Sequence, residues 1–432
     1  GILAIFFRAF SLGGGTYTGL EAVSNGLQIM REPKVRTGKK TMVYMAVSLA
    51  ITAGGLLLLY VLYNVNPVEG RTLNAVLANA VFGSWGWGHW IALITILSEG
   101  ALLFVGAQTG FTGGPGVMAN MAVDSWFPKR FSSLSERLTM QNGVLLMGIS
   151  ALLLLVYTNG SVSALVVMYA INVFLTFLLS QVGMIRFFLT HKKRYAHWKK
   201  NIIIFTVGIL VCLVILVITI YEKFWEGGWL TLLITSCVIA MCYVVHSHYQ
   251  KVKRAIDSLD TALLNIRKQD FPNTKEVDPK EKTAVLLVHD YNGFGVITMF
   301  SILKNFQGLY KNIIFVSVAE INSGVFKGQH EIENLKEDTK RSLEKYVKLA
   351  RGVGIPADYR MDIGTDVVDT ASHLCSSLAI KFKRVTFFAG KPIFEHEGMI
   401  HKMLHNETPV AIQRRLQWLG IHTVIIPIKV HL

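Results

Sequence analysis

Ser11–Gly26 reads SLGGGTYTGLEAVSNG and interrupts an apolar run from about Leu3 to Met30. Three consecutive glycines, Gly13, Gly14 and Gly15, are poor helix formers and tend to open the backbone in mid-run. In hydrocarbon an unpaired N–H or C=O is costly, so a break survives only where it lines a cavity in the protein. Freed carbonyls, with hydroxyls such as those of Thr16 and Thr18, can ligate a cation, and a half-helix N-terminus can hold an anion. The candidate solute- and ion-binding set is therefore Gly13, Gly14, Gly15, Thr16, Tyr17, Thr18 and Gly19. Close helix packing through small residues is the second reading, and the two are compatible.

Glu21 follows Thr18 by three residues, so on a resumed helix the two side chains share a face. An acid at membrane depth is a candidate for proton or cation coupling. Glu99, within ILSEGALLF, is a second mid-span acid and joins Glu21 as a coupling candidate. For both acids the alternative is a hydrogen bond that only fixes helix packing.

The composition extends this reading along the chain. Hydrophobic residues make up 52% of 432 positions, and charged residues crowd the second half. About seven apolar runs are long enough to cross a bilayer as helices. They cover roughly Leu3–Met30, Thr41–Val65, Trp87–Phe111, Asn142–Tyr157, Val162–Leu189, Asn201–Tyr221 and Gly228–His246. The loops Met30–Lys40 and Arg186–Lys200 are rich in lysine and arginine, and Phe127–Leu138 carries Lys129, Arg130 and Arg137. The alternate connections are poor in basic residues. The basic loops therefore lie in the cytoplasm, and so does the tail after His246. Trp85, Trp87, Trp90, Trp225 and Trp229 fall near the outer boundaries, as an aromatic belt does.

The net charge of +15 needs no nucleic acid, because much of it belongs to loops that face anionic lipid headgroups. The four cysteines have no spacing that suggests a disulfide framework or a metal site, and no cofactor is expected. His396, His401 and His405 lie close in sequence and read as solvated or loop-packing histidines rather than a metal cluster. No signal peptide is visible, and the chain opens in the middle of an apolar run.

After about Gln250 the pattern changes. Residues 250–282 read as a charged helix and linker, and 283–432 alternate strands with helices. The strands are TAVLLVHD, NIIFVSVAEI, ADYRMDIG, RVTFFAG and HTVIIPIKV. The helices are Phe294–Phe306, Asn334–Arg351, a segment opened by Asp366, and PVAIQRRLQWLG. Such alternation predicts a parallel sheet covered by helices on both faces. Ligands of such sheets sit beyond the carboxyl ends of the strands. His289, Asp290 and Gly390 are there the candidate nucleotide positions, although each also reads as a plain loop residue.

The residues GGGTYTGLEAVSNGLQIMREPKVRTGKKTM resemble the sixth transmembrane helix and following loop of the amino acid–polyamine–organocation superfamily. The likeness is carried by Thr18, Gly19, Glu21, Ala22, Ser24, Asn25 and Gly26. A second segment, from FVGAQTGFTGGPG to the QNGV at 141–144, is similar to that group's eighth helix and cytoplasmic loop. It is carried by Met121, Ala122, Asp124, Pro128 and Phe131. The arrangement of permease plus soluble tail is most similar to the KimA-type potassium importers. That resemblance implies potassium binding at Thr18 and proton coupling at Glu21.

It also implies a LeuT-type fold, here the second inverted repeat plus two further helices. The chain is thereby expected to be a piece lacking the first five helices, with a membrane domain over 1–249. The tail resembles a universal-stress-protein domain, although the phosphate loop of that family is not intact. KimA-type tails bind cyclic di-AMP, so a regulatory nucleotide is one option, and a structural or dimerising tail is another.

The expected fold class is thus a polytopic α-helical membrane domain followed by a cytoplasmic α/β parallel-sheet domain. The expected function is secondary transport of an amino acid or potassium with a coupling proton. The expected setting is the inner (plasma) membrane, with a homodimer as the working form. A membrane-anchored sensor is the competing hypothesis. No nucleophile, base and oxyanion constellation is legible, so the chain is not read as an enzyme.

Overall fold

A computed structural model describes residues 26–195, 197–263, 275–324, 329–394, 404 and 407–430, together with 5, 6, 9, 13, 23 and 24. The described residues divide into two compact units. The first comprises Gly1–Gly114 and Val144–Ala240, and the second Pro115–Gly143 and Met241–Leu432.

The helices before the sheet are α1 (Lys34–Leu62), α2 (Leu73–Phe82), α3 (Gly88–Val123), α4 (Gln141–Tyr157), α5 (Val162–Thr190), α6 (Trp198–Lys223) and α7 (Trp229–Leu263). Among the described residues, five of them are long and apolar enough to cross a membrane: α1, α3, α5, α6 and α7. The run expected at Asn142–Tyr157 forms α4, whose 17 residues sit at the lower limit of a crossing helix. Most of the run expected at Leu3–Met30 lies outside the described residues.

One boundary differs from the sequence reading. The apolar run ends at Phe111, but α3 continues helically through GGPG to Val123, with Pro115 inside it. Proline removes one backbone donor and crowds the preceding turn, which reads in sequence as an end. Gly143 allows close approach here, since a Cβ at that position would lie 2.8 Å from the Pro115 side chain.

Large apolar side chains of the first unit point outward. Leu102, Leu103 and Phe104 are 72%, 73% and 68% exposed. A helix apolar all round, with its aliphatic residues facing out, needs a non-aqueous solvent. The buried part of this unit is small and lies largely between α5 and α6. There Val167, Ile171 and Phe174 meet Cys212, Ile215 and Leu216. Gly208 makes room for Gln181, whose amide N–H donates to the Cys212 Sγ at 3.5 Å. A short π-helical turn, Phe224–Gly228, leads into α7, where the Thr235 hydroxyl donates to the Asn172 side chain at 2.9 Å.

The C-terminal domain follows the expected alternation. It contains β1 (Thr283–Leu287), α8 (Gly293–Asn305), β2 (Asn312–Glu320), α9 (Gln329–Gly352), β3 (Ala357–Gly364), α10 (Val367–Lys381), β4 (Val385–Ile393), α11 (Thr408–Trp418) and β5 (Thr423–Lys429). All strand pairs are parallel, in the order β3-β2-β1-β4-β5. Side chains alternate between the two faces of each strand. Ala284, Leu286, Ile313, Phe315 and Phe388 meet Met299, Ile302, Leu343 and Tyr346 of α8 and α9. Val285, Ile314, Val316 and Phe387 meet Ala371, Cys375, Ile412 and Leu416 of α10 and α11. The Asp366 carboxylate caps α10 by accepting from the Val368 and Asp369 N–H groups at 2.8 and 3.0 Å.

Candidate functional site

The glycine-threonine stretch is the site's sequence core, and most of it lies outside the described residues. This applies to Gly14, Gly15, Thr16, Tyr17, Thr18, Gly19 and Glu21. Gly13 is described and is half-buried.

Glu99 is described, and its setting is specific. It sits about a third of the way along α3, in a segment whose neighbours are aliphatic. The Asn74 side-chain amide donates to the Glu99 carboxylate, and the Tyr60 hydroxyl donates to the Asn74 amide oxygen. The three residues come from three elements: Tyr60 from the last turn of α1, Asn74 from the first turn of α2, and Glu99 from α3. All three are half-buried. The Tyr60 hydroxyl and the Asn74 amide thus form a chain of two hydrogen bonds that ends on the Glu99 carboxylate.

The short helix α2 brings Asn74 to this place. The Thr72 side chain caps it, accepting from the Ala75 N–H at 3.2 Å, and Ala75, Leu77 and Ala78 form its buried face. Sequence reasoning found Glu99 and missed Asn74 and Tyr60. One of two asparagines in an otherwise apolar ten-residue helix was the available signal.

The second unit holds the remaining candidates. The strand order changes direction at β1, so the switch point lies between β1 and β4. His289 and Asp290 follow β1, and Gly390 lies in β4. The His289 Nε2 and an Asp290 carboxylate oxygen are 3.6 Å apart, and both side chains are more than two-thirds exposed. The loop is pinned from within: the Tyr346 hydroxyl donates to the Asp290 carbonyl at 2.9 Å and accepts from the Asn292 N–H at 3.3 Å. Asn292 in turn caps α8, accepting from the Gly295 N–H at 2.9 Å. At Gly390 the space a Cβ would take is bounded by the Thr298 hydroxyl at 2.7 Å and the Phe294 ring at 2.8 Å. This glycine thus also serves the packing of α8 on β4. Lys391, one position on, lies 3.9 Å from the Glu407 carboxylate.

The same end of the sheet grips the segment between α3 and α4. The Ser323 N–H donates to the Ser132 carbonyl at 3.0 Å, and Ser133 pairs with Asn322 as an isolated antiparallel bridge. The Trp126 ring stacks on His246 of α7, with centroids 3.9 Å apart. The Tyr249 hydroxyl accepts from the Lys129 N–H at 3.3 Å and donates to the Leu404 carbonyl at 2.9 Å. Glu320, at the end of β2, is half-buried beside this clasp. Burial pushes its carboxyl above the ordinary 4.5, His289 and Lys129 pull it down, and Asp366 adds to the rise. On the α10 side of the sheet, burial pushes the Cys375 thiol up to about 12. No group of three or more potential metal ligands occurs among the described residues.

Comparison with known proteins agrees with this layout. The amino acid permease family model matches residues 2–242, which include every helix from α1 to α6 and the first part of α7. The chain is also similar to the potassium transporter KimA of Bacillus subtilis (strain 168), with 25% identity over 418 residues. That match covers 96% of this chain, and the chain spans 62% of the length of that relative. With five described helices of membrane-crossing length and a family match over more than half its residues, this multi-pass membrane protein belongs to the amino acid permease family.

Proposed function

We propose that the full-length protein is a secondary active transporter that imports an amino acid or potassium together with protons. The observation that carries this reading is Glu99, an acid part-way along an apolar helix, which accepts a hydrogen bond from Asn74 of α2, itself held by the Tyr60 hydroxyl of α1. A carboxyl group in such a place is expensive unless it works, and proton or cation coupling is the usual work. In this reading Gly13–Gly19 holds the solute, Thr18 contributes a hydroxyl, and Glu21 and Glu99 exchange protons. The chain acts as a transporter rather than an enzyme.

Potassium is the more specific reading. It is favoured by the similarity to a potassium transporter across nearly the whole chain, membrane helices and tail together. In that form the protein is a proton–potassium symporter of the plasma membrane, working as a homodimer with its tail in the cytoplasm. The tail would be a regulatory domain of universal-stress-protein type, with a nucleotide such as cyclic di-AMP near His289, Asp290 and Gly390. The parallel sheet supports this, because its switch point lies beside these residues.

The test is uptake into proteoliposomes of the full-length protein, with radioactive rubidium compared against amino acids, with and without a proton gradient. Proton-stimulated uptake of one solute class, abolished by Thr18→Ala, Glu21→Gln and Glu99→Gln, is the expected result. Uptake that persists unchanged in all three variants would overturn the assignment of these residues, and no uptake above protein-free liposomes would favour a membrane-anchored sensor.

A further inference from the structure

The connections between the helices differ in how their charges are partnered. In Met30–Lys40 the cation Lys34 lies 3.5 Å from the Glu32 carboxylate. In the connection from α3 to α4, main-chain groups of Lys129 and Ser132 are held by Tyr249 and Ser323 of the same unit. The connection from α5 to α6 is unlike either. Arg186–Lys200 reads RFFLTHKKRYAHWKK and carries Arg186, Lys192, Lys193, Arg194, Lys199 and Lys200 without one aspartate or glutamate. All six cationic side chains are exposed. Among the described residues none of them forms an ion pair.

The aromatic residues of the same segment are ordered around these cations. The ammonium groups of Lys192 and Lys199 lie 5.2 and 5.6 Å from the centre of the Trp198 ring. Tyr195 rests against Phe187 and Phe188 at 5.7 and 5.5 Å. Trp198 thus offers its ring face to two cations, and Tyr195 has its ring against the end of α5, aromatic residues being the preferred occupants of a membrane–water boundary. Beyond them the surface turns aliphatic at once: Leu189, Ile203 and Ile204 are 45%, 64% and 57% exposed. A ligand that satisfies both halves of this surface carries a negative head and a hydrocarbon body.

We infer that the α5–α6 connection binds the headgroups of anionic phospholipids, with its cations on the phosphodiester and its aliphatic flank on the acyl chains. Clusters of four to eight Lys or Arg beside a membrane helix attract anionic lipid, and each cation adds to the effect. The occupant is lipid rather than a free anion, because the cations stand at the ends of two membrane-length helices and not in a closed polar pocket. The inference rests on the chain crossing a membrane and is independent of what it transports.

The experiment compares phosphatidylglycerol with phosphatidylcholine bound to the full-length protein, by native mass spectrometry and by exchange of fluorescent lipid in nanodiscs. The natural sequence is expected to prefer phosphatidylglycerol by about tenfold or more, the scale of several surface cations. The variant Lys192→Gln, Lys193→Gln, Arg194→Gln, Lys199→Gln, Lys200→Gln is expected to lose the preference. Changing those four lysines to arginine should keep it, as should removal of the same charge from the soluble domain at Lys304, Lys311, Lys336, Lys340 and Lys348. If the glutamine variant does not fold, the pair Lys192→Gln and Lys193→Gln should still reduce the preference. An undiminished preference in the glutamine variants would overturn the assignment. So would an equal loss in the soluble-domain control. Displacement of bound lipid by inorganic phosphate, beyond that by chloride at equal ionic strength, would identify a free-anion site instead.

Discussion

The first unit and the C-terminal domain place their side chains in opposite ways. In the domain Phe315, Phe387 and Phe388 are fully buried, and ionisable groups such as His289 and Asp290 stand at the surface. In the first unit Leu102, Leu103 and Phe104 face outward, and the polar side chains of Tyr60, Asn74 and Glu99 turn toward one another. The difference teaches where a polar residue carries meaning. Beside water an acid is ordinary, while among membrane helices an acid held by an amide is a costly exception.

The sharpest way to break this contrast is at Glu99. Glu99→Gln keeps the shape and removes the ionisable group, so proton-driven uptake is expected to fall to background while the helices remain folded by circular dichroism. Asn74→Ala is expected to lower the same uptake, because the carboxylate loses its donor. In the soluble domain the largest effect belongs to packing. Phe388→Ala empties a core position and is expected to cost about 3–5 kcal/mol, read from denaturant unfolding of the domain followed by circular dichroism.

A smaller effect is expected where, within the second unit, Tyr249 holds the α3–α4 segment. Tyr249→Phe removes the hydroxyl that accepts from the Lys129 N–H and donates to the Leu404 carbonyl. A loss of about 1–2 kcal/mol is expected, with faster amide exchange at Lys129 as the local measure. The smallest effect concerns pH. Folding raises the Glu320 carboxyl above the ordinary 4.5, so the folded state holds this proton more tightly than the unfolded chain. Its contribution is fully present below 4.5 and is lost as pH rises through the folded value. Glu320→Gln is expected to flatten the stability profile of the domain across that window. An unchanged profile would show that the carboxyl is solvated.

Much of the fold was legible, for physical reasons that differ by region. Long aliphatic runs announced the helices because length and polarity are all that lipid demands. In the soluble part, β1 read as a buried strand, β2 and β4 read as strands, and Asp366 announced the start of α10 as its cap. The course of α3 beyond Phe111 was hidden, because glycine and proline at Gly113–Gly116 mimic a helix end. Of the candidate site, Glu99 was visible as a lone acid. Asn74 and Tyr60 were not, since their meaning comes from three elements that meet only in the folded chain. The clasp of Ser132, Trp126 and Lys129 was equally hidden, because the partners Ser323, His246 and Tyr249 are more than a hundred residues away.

The most direct test of the account is solute-driven proton movement. Proteoliposomes of the full-length protein with an entrapped pH indicator are given an inward gradient of potassium or of an amino acid, without any imposed pH difference. The account predicts acidification of the lumen as the solute enters, and its disappearance in Glu99→Gln. Proton movement in Glu99→Gln equal to that of the natural sequence would contradict it.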